Sequence, residues 1–269
     1  MTGLLIAFEG IDGAGVSTHS RLLAEKLRRL GYSVLYTKEP TRSSPASGLL
    51  WRMLEEGGPP EVLALLFVLD RVYHLYYSGS DSVVAGVARG DIVVTDRYKY
   101  SSLAYQSAGG LPREWVRLVN EVAPPPHILV YIDVEPSVSL RRIKGRPKRH
   151  VFEEERFLVK VRSVFHSIVE ELAGRPEYCG GDQVWKTIIE KAYGEQALGA
   201  WRGCIPAVVV VEGSRGGVDR SIDDVARDVY YGVVYAAVGS GLLEAPGEEY
   251  GLAVKHVTSS RTLRVVVHS

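Results

Sequence analysis

Amides are almost missing from this 269-residue chain: Asn120 is its one asparagine, and Gln106, Gln183 and Gln196 are its three glutamines. Depletion of these thermolabile side chains is a mark of heat-adapted proteins. Cysteine is scarce as well. Cys179 and Cys204 are too few for a zinc site, and two readings stand for them, buried free thiols or a disulfide of the kind heat-adapted cytosols tolerate. Net charge is absent, with 32 Lys and Arg against 32 Asp and Glu. That excludes a bulk pull toward nucleic acid or membrane surfaces and requires any anion site to be built locally. No apolar run approaches the roughly 20 residues of a membrane span, and Met1 leads into strand-like sequence without a signal-peptide pattern. A soluble, cytoplasmic protein is therefore expected, and its length suits one large α/β domain, alone or with appendages.

Glycine, by contrast, is plentiful, and three glycines stand in a telling place. The apolar run Leu4-Leu5-Ile6-Ala7 leads into Phe8-Glu9-Gly10-Ile11-Asp12-Gly13-Ala14-Gly15-Val16-Ser17-Thr18. Gly10 and Gly15 match the glycines of G-x-x-x-x-G-K-[ST], while Ser17 and Thr18 can bring a hydroxyl to Mg²⁺ and open a helix. A phosphate wrapped by successive backbone N–H groups needs positive φ angles and room where a Cβ would intrude. Phosphate contacts are expected from Gly10, Asp12, Gly13, Ala14, Gly15, Val16, Ser17 and Thr18; the competing reading is a plain glycine-rich turn. The lysine of the pattern is missing, and Val16 stands in its place. That ammonium would touch the β- and γ-phosphates, a contact worth roughly 10² to 10³ in rate. Either another cation replaces it or activity is weak.

Leu23, Leu27 and Leu30 recur at helical spacing up to Gly31, and Ser33 to Thr37 reads as a second strand. Strand, helix and strand make a right-handed βαβ unit with its ligand at the carboxyl ends of the strands, where Lys38-Glu39-Pro40-Thr41-Arg42 falls. Ser44-Pro45 should cap a helix running to Glu56, and beyond Gly57-Gly58-Pro59-Pro60 another should run from Glu61 to about Tyr77. The apolar run Val62 to Leu69 implies burial on most sides of that helix, and Arg71 then needs a partner. Arg71 reads either as a structural salt bridge or, with Phe67 at i and i+4, as a platform that stacks on and hydrogen-bonds a planar base.

Ile92 to Asp96 reads as a third strand running into Arg97-Tyr98-Lys99-Tyr100-Ser101-Ser102. A carboxylate and a guanidinium at that end suit Mg²⁺ and phosphate respectively, with a strand-end ion pair as the alternative. His127 to Asp133 is the fourth strand, Pro136 opens a helix, Phe152 to Ala173 is a long helix, and Ser221 to Val238 a final one. Ala207 to Val211, wholly apolar, is a fifth strand of the kind a parallel sheet covered on both faces requires. The basic run from Arg141 to His150 is either a solvated loop or a lid that closes on phosphates. Residues 174 to 206 read as an insertion around a helix from Gln183 to Tyr193, and residues 252–257 and 262–267 as an added hairpin.

In order and spacing, Phe8-Glu9-Gly10-Ile11-Asp12-Gly13, Glu39-Pro40, Leu66-Phe67 with Arg71, Asp96-Arg97-Tyr98 with Ser101, Tyr105-Gln106 and the arginine-rich run resemble the thymidylate kinase family. The resemblance covers about residues 3 to 173 and 207 to 238. It implies an α/β, three-layer P-loop NTPase fold: a parallel five-stranded sheet with helices on both faces. The kinase domain would span 1–240, with its lid at about 142–151, and 241–269 would be a C-terminal extension. The implied reaction is transfer of the γ-phosphoryl of ATP to dTMP with Mg²⁺, in a homodimer to which helix 61–77 contributes. The implied dTMP site has Phe67 stacked on thymine, Arg71 on its carbonyl edge, Gln106 reaching the base and Arg97 on the acceptor phosphate. Asp12 would hold the 3′-hydroxyl, Tyr105 would crowd a 2′-hydroxyl, and Glu39 and Ser101 would complete the site. Ser17 or Thr18 and Asp96 would serve Mg²⁺ directly or through water. One form of the family carries an arginine in the loop and another in the lid. Ile11, Gly13 and Ala14 leave none in the loop, so Arg142, Arg146 and Arg149 are the implied stabilisers of charge during transfer. For the cation missing at Val16, Lys99 beside the Asp96-Arg97 strand end is the first candidate and a lid residue the second. The alternatives are a kinase for another nucleoside monophosphate or a deoxynucleoside, and a non-catalytic nucleotide-binding protein.

Overall fold

The computed structural model describes residues 3–144, 154–174, 184–201, 206–244 and 247–268. Strand β1 (Leu4–Glu9), buried at every residue, lies inside a sheet whose other parallel members are β2 (Val34–Lys38), β3 (Ile92–Asp96), β4 (Ile128–Asp133) and β5 (Ala207–Glu212). Their spatial order is β2-β3-β1-β4-β5. Because crossovers cover both faces, these strands read as apolar runs instead of alternating patterns. After β5 come a two-residue antiparallel pair, β6 (Ser214–Arg215) and β7 (Val218–Asp219), and then β8 (Leu263–Val266), which pairs antiparallel with β5.

The helices, in chain order, are α1 (Val16–Arg29), α2 (Ser47–Glu56), α3 (Pro60–Tyr76), α4 (Val83–Arg89), α5 (Lys99–Ala108) and α6 (Arg113–Val119). They continue with α7 (Pro136–Ile143), α8 (Glu155–Gly174), α9 (Val184–Leu198), α10 (Ile222–Gly239) and α11 (Gly247–Ser259). The pleat of β1 makes the three layers. Leu4, Ile6 and Phe8 join a core with Leu23 and Leu27 of α1, Leu158 and Phe165 of α8, and Val225 and Val229 of α10. Leu5 and Ala7 face the other way, toward Leu75 of α3, Val83, Val84 and Val87 of α4, and Trp185 and Ile189 of α9.

Four expectations need correction. The sheet has six strands, not five, and it is mixed because β8 runs antiparallel. The expected hairpin is not formed: its first arm lies in α11, where Tyr250, Ala253, Val254 and Val257 are spaced for one helical face, and its second arm is β8. Helices α4, α5 and α6 were not expected, being short and carrying weak periodicity. Finally, α3 is not buried on most sides. Val62, Leu65 and Leu69 form an open stripe, 42, 49 and 53 % exposed in the single chain. Cys179 and Cys204 lie outside the described residues.

Candidate active site

The phosphate loop follows β1 at the carboxyl end of the sheet. Gly13 and Gly15 adopt φ of +81° and +94°, which side chains with a Cβ resist. A Cβ on Gly13 would stand 2.5 Å from the Ser139 carbonyl, and one on Gly10 2.9 Å from that of Ile132. Gly15 caps α1 with no side-chain cap, so the first turn of the helix presents its N–H groups toward the loop. Val16 is 4 % exposed and belongs to the apolar core with Ile11, Ala14 and Leu23. It offers the loop no charge.

Beside the loop, Ser17 Oγ donates to Asp96 Oδ2 at 2.5 Å, and the buried Asp96 Oδ1 has no partner. A hydroxyl and a carboxylate with a spare oxygen fit Mg²⁺, a hard cation that takes few protein ligands and completes its shell with water and phosphate. Lys38, at the end of β2 and in register with Asp96, places its Nζ 3.5 Å from the same Oδ2. Lys38 was not among the expected site residues. It lies 58 positions from Asp96 in the chain, and only the β2–β3 register brings the two together.

Arg97 is the described non-glycine residue with a positive φ, +72°, and its guanidinium reaches back over the loop. It donates to the Gly10 carbonyl (2.8 Å), Ser101 Oγ (3.1 Å) and Asp12 Oδ1 (2.6 Å), and it lies 5.5 Å from the Tyr105 ring centre. Burial works against its charge, yet Tyr105, Asp12, Asp96 and Glu9 hold its pKa above the ordinary value. Tyr105 Oη accepts from the Asp12 N–H at 2.8 Å, so Asp12, Arg97, Ser101 and Tyr105 form one cluster. Beneath it, Glu9 accepts from the N–H groups of Tyr98 (3.1 Å) and Ser101 (3.0 Å) and from Ser101 Oγ, anchoring the start of α5. Burial pushes the Glu9 carboxyl up to about 8 against the pull of Ser101 and Arg97.

Arg71 is 2 % exposed and lies in a buried network, the salt-bridge alternative weighed for it. It donates to Glu39 Oε2 (2.7 Å), Asn120 Oδ1 and Ser102 Oγ (3.1 Å). Despite the cost of burial, Arg71 and His74 hold the Glu39 carboxylate below its usual pKa. Ser102 and Gln106 are one turn apart on α5, and both polar atoms of the buried Gln106 amide are without a partner. Phe67, half-buried, packs against the Leu50, Leu54 and Leu63 cluster. The adjacent 41–44 segment is pinned to α3 by Asp70, which accepts from Thr41 N and Oγ1 at 2.7 Å each and from Ser44 Oγ.

The cations divide sharply. Lys99, the first candidate to replace the loop lysine, donates instead to the Ala123 carbonyl at 2.9 Å, and no described bond joins it to residues 10–18. Arg142 does reach the loop, donating to the carbonyls of Gly13 and Ala14 at 3.1 Å each. It is held there by Gly213 O (2.8 Å) and by Asp219, whose carboxylate it keeps below the usual pKa. His19 is buried nearby; burial, with Arg142 and Arg220 adding to it, pushes its imidazole down to about 4 and keeps it neutral. Arg146 and Arg149, and the lid from 145 onward, lie outside the described residues.

A glycine cradle behind a central strand, with a hydroxyl–carboxylate pair and an arginine cluster at the carboxyl end of a parallel sheet, defines a P-loop phosphotransferase. Comparison with known proteins narrows the class. The thymidylate kinase family profile matches residues 8–175. An Aeropyrum pernix protein named "Putative thymidylate kinase" is 40% identical over 228 residues, 84% of this chain and 93% of its own. A "Probable thymidylate kinase" of Pyrobaculum calidifontis is 39% identical over 164 residues, covering 60% of this chain and 80% of its own. One of Pyrococcus horikoshii is 43% identical over 152 residues, 54% and 72% respectively. The chain belongs to the thymidylate kinase family.

Proposed function

We propose that this protein transfers the γ-phosphoryl of ATP to dTMP. Family membership supports the reaction, and one observation carries the acceptor: the partnerless Gln106 amide, buried one turn from the Ser102 that holds Arg71. A buried amide left unsatisfied costs free energy unless a ligand pairs with it, and a planar base offering both a donor and acceptors would do so. Phe67 supplies the stacking face and Arg71 the donor toward the carbonyl edge, on a mount fixed by Glu39. Arg97 takes the acceptor phosphate, while Asp12 orients the sugar hydroxyl and Tyr105 closes the space beside it.

The loop N–H groups and the first turn of α1 hold the donor phosphates. Ser17 and Asp96 are the residues that would hold Mg²⁺, which neutralises charge on the β- and γ-phosphates when bound. Phosphoryl transfer asks mainly for alignment and positive charge, so the protein's task is to place the two phosphates in line and exclude water. Arg142, fixed on the Gly13 and Ala14 carbonyls, roots the basic run at the loop. Two copies would pair through α3, whose Val62, Leu65 and Leu69 stripe is open in the single chain.

The test is turnover with ATP and Mg²⁺ at high temperature on dTMP, dUMP, CMP, AMP and thymidine. dTDP should form fastest. No dTDP at any temperature where the protein stays folded would overturn the reading, and faster turnover of another acceptor would reassign the base site.

A further inference from the structure

We propose that Lys38 supplies, from the end of β2 across β3, the positive charge that the phosphate loop lacks. The inference rests on the donor half of the reading above, ATP in the loop. Val16 cannot contribute: its side chain is buried in the core, and its Cγ2 lies 3.0 Å from where a Cβ on Gly10 would stand. A cation serving the terminal phosphates must therefore approach from outside the loop.

The sheet register brings one there. Lys38 pairs with Asp96 of β3, and Asp96 pairs with Phe8 of β1, two residues before the loop begins. The Lys38 ammonium is 3.5 Å from Asp96 Oδ2, and that oxygen accepts from Ser17 at 2.5 Å, so one atom separates the ammonium from the first turn of α1. Among the described residues, the other cations near the loop have other partners. Arg97 bonds Gly10, Ser101 and Asp12, Arg142 bonds Gly13, Ala14, Gly213 and Asp219, and Lys99 faces Ala123. Among the described residues, Lys38 is the cation beside the loop whose side chain is half open, 52 % exposed, with Asp96 as its charged neighbour.

Lys38 is not locked in place, because its half of this pair is open to solvent while the carboxylate is buried. Its long, rotatable stem suits it to turn from the carboxylate to a more highly charged triphosphate. The site has thus moved its cation from the helix N-terminus to the end of β2, one strand beyond β3, keeping the charge while filling the old position with an apolar core residue.

The experiment is a double-mutant cycle on the full chain: wild type, Lys38→Met, Val16→Lys and the double variant. ATP affinity is measured by calorimetry with and without Mg²⁺, dTMP affinity serves as control, and turnover is followed in parallel. Lys38→Met should weaken ATP at least tenfold and lower turnover by about 10²-fold, as loss of a phosphate-directed charge does, with dTMP affinity unchanged. Val16→Lys should restore most of the loss in the Lys38→Met background and add little to the wild type. Unchanged ATP affinity in Lys38→Met overturns the proposal, as does a Val16→Lys gain of equal factor in both backgrounds. A wild type that binds ATP but does not phosphorylate dTMP refutes the acceptor assignment, and the binding arm still decides the role of Lys38. A wild type that binds no ATP overturns both.

Discussion

Lys99 shows how little adjacency in sequence says about direction in space. The chain turns at Arg97 with φ +72°, and two residues later the lysine points to Ala123, packed in protein that lowers its pKa to about 7, with Arg71 adding to the effect of burial. For such a base the folded state holds the proton less tightly than the unfolded chain. Its contribution to stability is complete above about pH 10.5 and is lost as pH falls toward 7. Lys99→Met should therefore be relatively more stable than the wild type at pH 7, with the wild type catching up as pH rises to 10.5, while ATP affinity stays unchanged. Thermal melts across that window check it; a constant Tm difference would mean a well-solvated ammonium. The loop residues Gly10, Gly13, Gly15 and Ser17 were legible because they act through spacing along one short stretch. Lys38 and the partnerless Gln106 amide were not, because their significance arises from strand register and burial, which linear spacing does not encode.

At the scale of elements, α3 is defined by what it leaves open. An apolar run read along the chain says buried, but the helical period divides it. Leu63, Ala64 and Leu66 face inward, while Val62, Leu65 and Leu69, at i, i+3 and i+7, form a second apolar face with no cover in the single chain. If two copies meet there, Leu65→Glu places a charge in the seam. It should convert dimer to monomer in light scattering without altering the circular dichroism spectrum; a dimer of unchanged concentration dependence would place the contact elsewhere. The same division explains the misread tail. Residues 252–257 looked strand-like because Leu252, Val254 and Val257 are apolar, yet Val254 and Val257 fall on a helical arc with Tyr250 and Ala253 while Leu252 faces out, and only Leu263–Val266 takes strand form, completed by Val208–Val211.

For the whole molecule, the five parallel strands and the helices on both faces followed from apolar runs alternating with amphipathic stretches, whereas the spatial order of the strands did not. The insertion was opaque because its partners are distant. His127 is one tie that holds it. Its Nδ1 accepts from the Leu5 N–H at 2.9 Å, and its Nε2 sits 3.0 Å from the Ala200 carbonyl, joining β1, β4 and the segment after α9. Burial lowers its pKa to about 4, so it is neutral at pH 7; stability is fully present above about pH 6.5 and is lost as pH falls toward 4. For one group this amounts to at most about 3 kcal/mol. Urea unfolding at pH 7 and 4.5 should show a larger loss for the wild type than for His127→Gln, and equal losses would remove His127 as the acid-sensitive tie. The pairing of β8 with β5 has a consequence for biosynthesis. β5 emerges from the ribosome well before β8, so the nascent chain carries a long apolar strand with an exposed edge, a template for joining another chain. That edge is closed only once the segment carrying β8 has been made and has paired with β5.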